Sequence, residues 1–116
     1  MTYAEGLAQV TDADFDTEVL GAGTPVLVKF TAQWCGPCRQ LKPVLGAIAA
    51  EVGEERLRIV EMDVDHNPLT TVRYGVLGTP TLLVFDRGEP VRSLVGARPK
   101  RRLLEELADV LEPSRA

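Results

Sequence analysis

The sequence predicts an α/β fold in which a mixed β-sheet is covered by helices on both faces. Two short, mostly apolar stretches, at residues 25–30 and 57–64, have the character of buried strands. Each is followed by a segment of helical character, and a further pair of strands joined by a tight turn precedes a last amphipathic helix. Strands that alternate with helices pair in parallel, whereas a tight turn pairs strands antiparallel, so the sheet is mixed.

The first predicted helix covers about residues 12–20, near the N-terminus. Thr11 is a candidate N-cap, because its side-chain oxygen can accept a hydrogen bond from an unpaired N–H of the first helical turn. Gly21 and Gly23 end this helix, since glycine is the usual residue after a helix C-terminus. The first buried strand, at residues 25–30, then follows.

The longest predicted helix begins at Pro37. Its apolar residues recur at the spacing of one helical face, and they are Leu41, Val44, Leu45, Ile48, Ala49 and Val52. Pro43 lies inside this pattern and is expected to kink the helix, because proline has no N–H to donate. After the strand at residues 57–64, a short helical turn follows Asn67 and Pro68.

The C-terminal part is predicted to contain a β-hairpin and one helix. Residues 81–85 and 91–95 are its two strands, and Arg87 and Gly88 lie in the tight turn between them. The apolar stripe of the last helix consists of Leu103, Leu104, Leu107, Val110 and Leu111.

Length and composition are those of one ordinary globular domain. The chain has 116 residues, 17 acidic and 13 basic, and its net charge of −4 argues against a nucleic-acid binder. We expect one domain over residues 1–112 and a disordered tail at residues 113–116. No apolar run approaches the roughly 18 residues of a membrane span, and no basic start with an apolar stretch marks a secretory signal. The chain is therefore expected to be cytoplasmic, where a persistent structural disulfide is unusual.

Both cysteines lie in the segment Trp34-Cys35-Gly36-Pro37-Cys38, where the first strand passes into the longest helix. Only a thiolate attacks a disulfide, and the unpaired N–H groups at a helix N-terminus favour the thiolate. Cys35 is therefore the candidate nucleophile. Cys38 follows about one helical turn later, so that its sulfur can reach Cys35 and resolve a mixed disulfide. Pro37 suits the first helical turn, where its missing N–H is not needed.

Three other interpretations of the cysteine pair are open. A zinc site usually requires four ligands, whereas the chain has no other cysteine and a single histidine. A structural disulfide across a four-residue loop would restrain the unfolded chain by only about 2 kcal/mol. Two inert buried thiols would not require Gly-Pro between them at the end of a strand. Two cysteines separated by two residues near a strand–helix–strand pattern are instead typical of a redox-active pair.

Further motifs accompany the cysteine segment between about residue 11 and residue 111. They are Val26-Leu27-Val28, Pro43, Asp63-Val64-Asp65, Asn67-Pro68, Tyr74-Gly75-Val76, Thr79-Pro80-Thr81 and Val95-Gly96. In this set the sequence resembles the thioredoxin family. The resemblance implies a three-layer α/β/α sandwich with a mixed sheet of about five strands. It also implies a thiol–disulfide oxidoreductase that reduces protein disulfides, in which Cys35 attacks and Cys38 resolves.

The resemblance further implies a docking surface for substrates beside the cysteines. The bond between Thr79 and Pro80 would be cis, and the Thr79 backbone would pair with an extended substrate segment. The surrounding surface would consist of Trp34, Gly36, Pro37, Gly96 and Ala97. The implied partners are disulfide-containing proteins and a flavin-dependent thioredoxin reductase that uses NADPH, and the implied protein is a monomer without metal or bound cofactor. Taken by itself, Pro80 would be an ordinary trans proline before a strand.

Lys29 departs from the family pattern, in which an aspartate lies at this strand position. The partner position on the neighbouring strand, usually lysine, is Glu61 here, so the charges of the pair are reversed. Because a buried lysine is costly unless it is paired, we predict that Lys29 and Glu61 meet through a salt bridge or a shared water. Glu61 would then take the proton of Cys38, or Lys29 would favour the thiolate forms by its charge, or the exchange is only structural. Thr31 is a second departure, since the family usually has tryptophan there.

Other charged segments are assigned no function. His66 is predicted to be a surface residue, because no cluster of ligands accompanies it. The basic run at residues 98–102 is interpreted as a solvated helix face with i,i+4 partners Glu105 and Glu106, or else as a docking surface for an acidic partner. Two alternative functions stay open, namely a disulfide oxidant or isomerase and a non-redox binding module of the chaperone kind.

Overall fold

The computed structural model of the protein describes residues 7–112, so the predicted tail at residues 113–116 lies outside it. Five strands form one sheet in the spatial order β1-β3-β2-β4-β5. They are β1 (Ala8–Gln9), β2 (Val26–Thr31), β3 (Arg58–Asp63), β4 (Thr81–Asp86) and β5 (Glu89–Val95). β3 runs parallel to β1 and β2, whereas β4 runs antiparallel to β2 and β5. The predicted mixed sheet of about five strands is confirmed.

Helical segments cover both faces of this sheet. They are a π-helical segment at Asp16–Leu20, α1 (Gly36–Val52), α2 (Pro68–Arg73), α3 (Lys100–Glu106) and α4 (Ala108–Leu111). Leu27 of the central strand belongs to an apolar cluster shared with α1 and α3. Its neighbours Val26 and Val28 belong to a second cluster, shared with the N-terminal segment. Because adjacent strand residues point to opposite faces, the two clusters lie on opposite sides of the sheet, as the predicted three-layer arrangement requires.

The apolar periodicity predicted α1 correctly. Leu41, Leu45 and Ile48 are fully buried in the same cluster, and each contributes about 1.5–3 kcal/mol of hydrophobic stabilisation. The helix continues through the exposed Pro43, which removes the bond that an N–H would donate to the carbonyl of Arg39. Burial of the opposite face holds the helix together there, and the kink expected at Pro43 stays a prediction.

The predicted hairpin is present, with β5 starting at Glu89 rather than two residues later. Its two-residue turn consists of Arg87 and Gly88, whose φ angles of 54° and 83° are both positive. This is the pattern of a type I′ turn, whose twist matches that of the strands it joins. The register between β4 and β5 shifts at Val84 and Phe85, where Phe85 faces Pro90.

The predicted last helix is divided into two. Leu107 separates α3 from α4, and its φ of −101° and ψ of 6° lie outside the helical region. Leu103 and Leu107 are both fully buried, so the apolar stripe still reaches the core on both sides of the break. Among residues 7–112, no helix has the length and apolar character needed to cross a bilayer.

The N-terminal helix starts later than predicted, and Thr11 is not its N-cap. The helical segment begins at Asp16. The Thr11 hydroxyl donates instead to the Oδ1 atom of Asp14, 3.2 Å away, and the N–H of Asp12 donates to Oδ1 of Asn67, 2.8 Å away. These contacts hold the residues after Thr11 in a turn. The helical turn expected after Thr11 does not form, because the Thr11 hydroxyl bonds to Asp14 and the N–H of Asp12 bonds to Asn67.

Asp12 caps a helix that is remote in sequence. Its Oδ1 accepts a hydrogen bond from the N–H of Thr70 over 2.9 Å, and its Oδ2 accepts one from the N–H of Leu69 over 3.1 Å. These are unpaired donors of the first turn of α2. Burial alone raises the pKa of Asp12, but the hydrogen bonds from Thr70 and Leu69 outweigh it and hold the pKa below its ordinary value of 3.8.

Replacing this cap is expected to weaken the fold measurably. Asp12→Ala should lower the free energy of unfolding by about 1–2 kcal/mol, as loss of a helix cap does. Because the folded-state pKa of Asp12 is lowered, its stabilisation is present above about pH 3.8 and is lost as the pH falls through the folded-state value. Urea unfolding at pH 7 and pH 3 checks both points. The control is Asp16→Ala, which removes an exposed ion pair with Arg73. Equal losses in the two variants would contradict the capping role.

Candidate active site

A disulfide bond joins Cys35 and Cys38 at the N-terminus of α1. Cys35 is the N-cap, and its Sγ accepts a hydrogen bond from the N–H of Cys38, with 3.2 Å between nitrogen and sulfur. Pro37 lies in the first turn, where its missing N–H is not needed. A negative charge on Cys35 Sγ would face this N–H and the positive end of the helix dipole. The geometry therefore favours a thiolate on Cys35 once the disulfide is reduced.

The accessibility of the two cysteines does not distinguish them. Cys35 is 4% exposed and Cys38 is 1% exposed, and both lie in a small apolar cluster with Ala32 and Val64. Their positions on α1 do distinguish them, because Cys35 caps the helix whereas Cys38 lies within it. The helix N-terminus therefore acts more directly on Cys35.

Lys29 and Glu61 form a buried ion pair. The two residues are register partners on β2 and β3, and Lys29 Nζ lies 2.9 Å from Glu61 Oε2. Their side chains are 1% and 3% exposed. The contact predicted from the sequence is confirmed, and it takes the form of a direct salt bridge.

Lys29 is the member of this pair that touches Cys38. Its Nζ donates a hydrogen bond to the backbone carbonyl oxygen of Cys38 over 2.8 Å. Glu61 is occupied on its other side, because Oε1 accepts a hydrogen bond from Gln9 Nε2 over 2.7 Å and lies 3.6 Å from Lys42 Nζ. Within the described part of the chain, the hydrogen bonds of the pair thus reach Cys38 through Lys29. Gln9 gave no sequence signal, because its strand β1 has only two residues.

Burial holds the pKa of Lys29 below its ordinary value of 10.5. The hydrogen bond and the negative charge of Glu61 act in the opposite direction, while the positive charge of Lys42 adds to the lowering. Desolvation of the ammonium group is the dominant cause. The proton on Nζ is therefore lost more easily than from a lysine in water.

A pocket of about 400 Å³ opens beside the ion pair. Charged and polar residues predominate among those that line it, which are Gln9, Lys29, Thr31, Ala32, Gln33, Cys38, Arg39, Lys42, Glu61 and Asp63. A polar space of this size can hold water molecules that exchange protons with the groups around them. Cys38 therefore lies beside a pocket whose lining includes groups that can exchange protons, and Thr31 lines the same pocket.

Trp34 lies on the surface immediately before the disulfide and is 69% exposed. Its indole Nε1 donates a hydrogen bond to Asp65 Oδ2 over 2.9 Å. The ring is therefore held in place although it is mostly in solvent. Asp65 was not predicted to take part, because its partner lies 31 residues earlier in the chain.

The segment assigned to substrate docking lies at one end of β4 and β5. The Thr79–Pro80 peptide bond is cis, and the carbonyl oxygen of Pro80 accepts a hydrogen bond from the N–H of Gly96 over 2.9 Å. Gly96 has a φ of 93°, a conformation that side chains disfavour, and Ala97 beside it is exposed. The structure thus joins two of the predicted docking segments, which are 16 residues apart in the sequence.

For His66 and the basic run at residues 98–102, the structure agrees only in part with the interpretation from the sequence. His66 is exposed and lies 3.2 Å from Asp63, and residues 7–112 contain no group of three or more His, Cys, Asp or Glu side chains fit to hold a metal ion. The i,i+4 pairs with Glu105 and Glu106 in the basic run are present, at 4.0 Å and 3.3 Å. Arg98 is the exception, because its side chain is only 19% exposed and does not belong to the solvated face.

Comparisons with known proteins agree with the site geometry. A family model described as Thioredoxin matches residues 6–109. The chain is 48% identical over 112 residues to a thioredoxin of Mycolicibacterium smegmatis, a match that covers 96% of this chain and all of that protein. It is 48% identical over 113 residues to a thioredoxin of Mycobacterium tuberculosis, covering 96% and 97% of the two chains. It is also 45% identical over 103 residues, 89% of its own length, to 22% of a bifunctional thioredoxin reductase/thioredoxin of Mycobacterium leprae.

Proposed function

The chain belongs to the thioredoxin family and is a thiol–disulfide oxidoreductase that reduces protein disulfides, and from this premise we propose that Cys35 attacks the substrate and Cys38 resolves the intermediate. The observation that carries the assignment is the hydrogen bond from the N–H of Cys38 to Cys35 Sγ. That bond and the helix dipole stabilise a thiolate on Cys35 in preference to Cys38.

The reaction then proceeds in two exchanges. The Cys35 thiolate forms a bond to one sulfur of the substrate disulfide, whose other sulfur leaves as a thiolate and takes up a proton. Cys38 loses its proton and attacks Cys35 Sγ, which re-forms the Cys35–Cys38 disulfide and releases the second substrate sulfur as a thiolate. Two electrons pass from the protein dithiol to the substrate. The oxidised protein is the form that the structure shows.

We propose that the reversed ion pair acts on this second exchange through Lys29. The ammonium group contacts the carbonyl oxygen of Cys38, whereas both carboxylate oxygens of Glu61 are engaged by Lys29, Gln9 and Lys42. A positive charge beside Cys38 favours its thiolate and so speeds release of the substrate. Glu61 holds Lys29 in position. These contacts favour a role for the positive charge of Lys29 over a role for Glu61 as the base that takes the proton of Cys38.

The partners of the chain are disulfide-containing proteins and a thioredoxin reductase. We propose that this reductase carries a flavin and draws on NADPH, and that the chain acts as a cytoplasmic monomer. A relative in which a reductase and a thioredoxin are fused supports the direct transfer of electrons between the two. A cytoplasmic location is supported by the redox chemistry, since that compartment keeps protein thiols reduced.

We propose that extended protein segments dock along the Thr79 backbone, with the exposed Trp34 and the residues Gly96 and Ala97 on either side. Backbone pairing accepts many sequences, which predicts broad substrate specificity. The cis bond before Pro80 and the link from Gly96 to Pro80 support this placement.

The redox potential of the Cys35–Cys38 couple tests the reductase function against its alternative, an oxidant or isomerase. Equilibration with a dithiol buffer, followed by the fluorescence of Trp34, measures the potential. Thioredoxins lie at about −270 mV and protein disulfide isomerase at about −180 mV. We expect a redox potential near about −270 mV, that of thioredoxins. A value near about −180 mV would be that of an oxidant or isomerase and would contradict the reductase function.

The non-redox binding module requires a different test. A double variant, Cys35→Ser with Cys38→Ser, is expected to lose all function in cells that depend on this protein for disulfide reduction. Full function of the double variant would favour the binding module.

A further inference from the structure

We propose that Arg98 is a positioning residue that holds the loop at residues 96–99 in the shape required for docking of protein substrates. The inference rests on the proposed function, because it assumes that Gly96 and Ala97 contact the substrate. The basic run was interpreted from the sequence as a solvated helix face, and Arg98 departs from that interpretation.

Arg98 bridges the two elements that enclose the loop. One guanidinium nitrogen, Nη1, donates to Glu106 Oε1 over 2.6 Å, and the other, Nη2, donates to the carbonyl oxygen of Val95. Val95 is the last residue of β5 and Glu106 is the last residue of α3. A single planar side chain therefore connects the end of the strand to the end of the helix.

Glu106 completes a small network. Its second oxygen, Oε2, lies 3.3 Å from Nε of Arg102, so that two arginines share one carboxylate. The side chains of Arg98 and Glu106 are 19% and 25% exposed, well below the 91% exposure of the neighbouring Arg101. The hydrogen bond from Arg98 is the largest contribution that lowers the pKa of Glu106, which keeps its carboxylate ionised in mild acid.

The loop itself is restrained at its start by a separate contact. The N–H of Gly96 donates to Pro80, which ties the loop to the cis-proline segment. Between this bond and Arg98 lies Ala97, whose side chain is exposed. The backbone of Ala97 is therefore fixed on both sides while its surface is free for a partner. A preordered segment binds an extended chain more tightly than a mobile one, because less freedom is lost on binding.

The test compares Arg98→Met with Arg101→Met, which removes a fully solvated arginine of the same run. With insulin as the protein disulfide, we expect kcat/KM of Arg98→Met to fall about threefold to tenfold, mainly through KM. Reduction of the small disulfide DTNB and the redox potential should not change, because neither needs the loop. Arg98→Lys should recover only part of the loss, since an ammonium group cannot bridge two acceptors as a guanidinium does.

Hydrogen exchange provides a readout that does not depend on activity. The amide of Gly96, which donates to Pro80, should exchange faster in Arg98→Met than in either the wild-type chain or Arg101→Met. Equal exchange rates, equal KM values in the two variants, or an equal loss with DTNB would each overturn the role of Arg98. If the wild-type chain reduced neither insulin nor DTNB, the proposed function would fail, and the exchange rates would still decide whether Arg98 orders the loop.

Discussion

Replacing Cys38 with serine is expected to stop turnover and to trap the protein on its substrates. Cys35 Sγ keeps its place at the helix N-terminus and still attacks a disulfide, but the mixed disulfide then has no thiol to resolve it. Turnover should fall roughly 10³-fold or more, the scale of losing one member of a catalytic unit. Reduction of insulin followed by intact-protein mass spectrometry should show a covalent adduct at Cys35 in stoichiometric amount.

The matched control is Cys35→Ser, which retains the other thiol. This variant should be equally inactive but should form almost no adduct, because Cys38 lies within the helix and lacks the capping position of Cys35. An adduct that formed as readily on Cys38 as on Cys35 would reverse the assignment of the two roles.

Replacing Lys29 with methionine is expected to have the largest effect on stability. The variant removes the buried partner that lies 2.9 Å from Glu61 and leaves the carboxylate with the more exposed Lys42, 3.6 Å away. This should lower the free energy of unfolding by about 3–5 kcal/mol. Adding Glu61→Gln should restore much of this loss, since the double variant buries no unpaired carboxylate at this site and Gln9 still has a partner there. Urea unfolding of the two single variants and the double variant measures the coupling. Simple additivity of the single effects would contradict a coupled pair.

The same variants separate the two chemical roles of the pair. If Lys29 acts by its charge, Lys29→Met shifts the pH dependence of substrate release upward by about one unit and makes the couple more reducing, whereas Glu61→Gln has the smaller effect. Stopped-flow measurement of release between pH 6 and pH 10 checks this. A larger shift in Glu61→Gln would assign the proton transfer to Glu61, and unchanged profiles in both would leave the pair a structural role only.

Lys29 also makes stability depend on alkaline pH with a definite sign. Its pKa is lower in the folded state than the ordinary value of 10.5, so between the two values the unfolded chain binds more protons. The contribution of Lys29 to the free energy of unfolding therefore increases as the pH rises from the folded-state pKa of Lys29 toward about 10.5. The Lys29→Met variant should lack that rise.

Elements with strong local patterns were predictable, and those set by distant contacts were not. The apolar stretches of β2 and β3 and the periodicity of α1 identify these elements from sequence alone. The predicted start of the N-terminal helix is wrong, because Asp12 instead accepts a hydrogen bond from Thr70 of α2. That residue lies 58 positions later in the sequence. β1 is too short to show a pattern, and it carries Gln9 into the site.

The site was predictable to a similar degree. Cys35 and Cys38 were identifiable because their chemistry depends on spacing and on the helix N-terminus. The contact between Lys29 and Glu61 was predicted because a buried charge requires a partner. Arg98 was interpreted as solvated because the run around it is basic, whereas the carbonyl of Val95 and the carboxylate of Glu106 draw its side chain inward.

The edge strands β1 and β5 have features that hinder pairing with a second copy of the chain. A surface that captures extended segments by backbone pairing risks capturing further copies of its own sheet. β1 offers only two residues for such pairing, and β5 carries Pro90, the charged Arg92 and a register shift opposite it. Proline, charge and irregular register are each features that obstruct edge-to-edge association. These features disfavour pairing at both open sides of the sheet, whereas the proposed docking mode uses the backbone at Thr79.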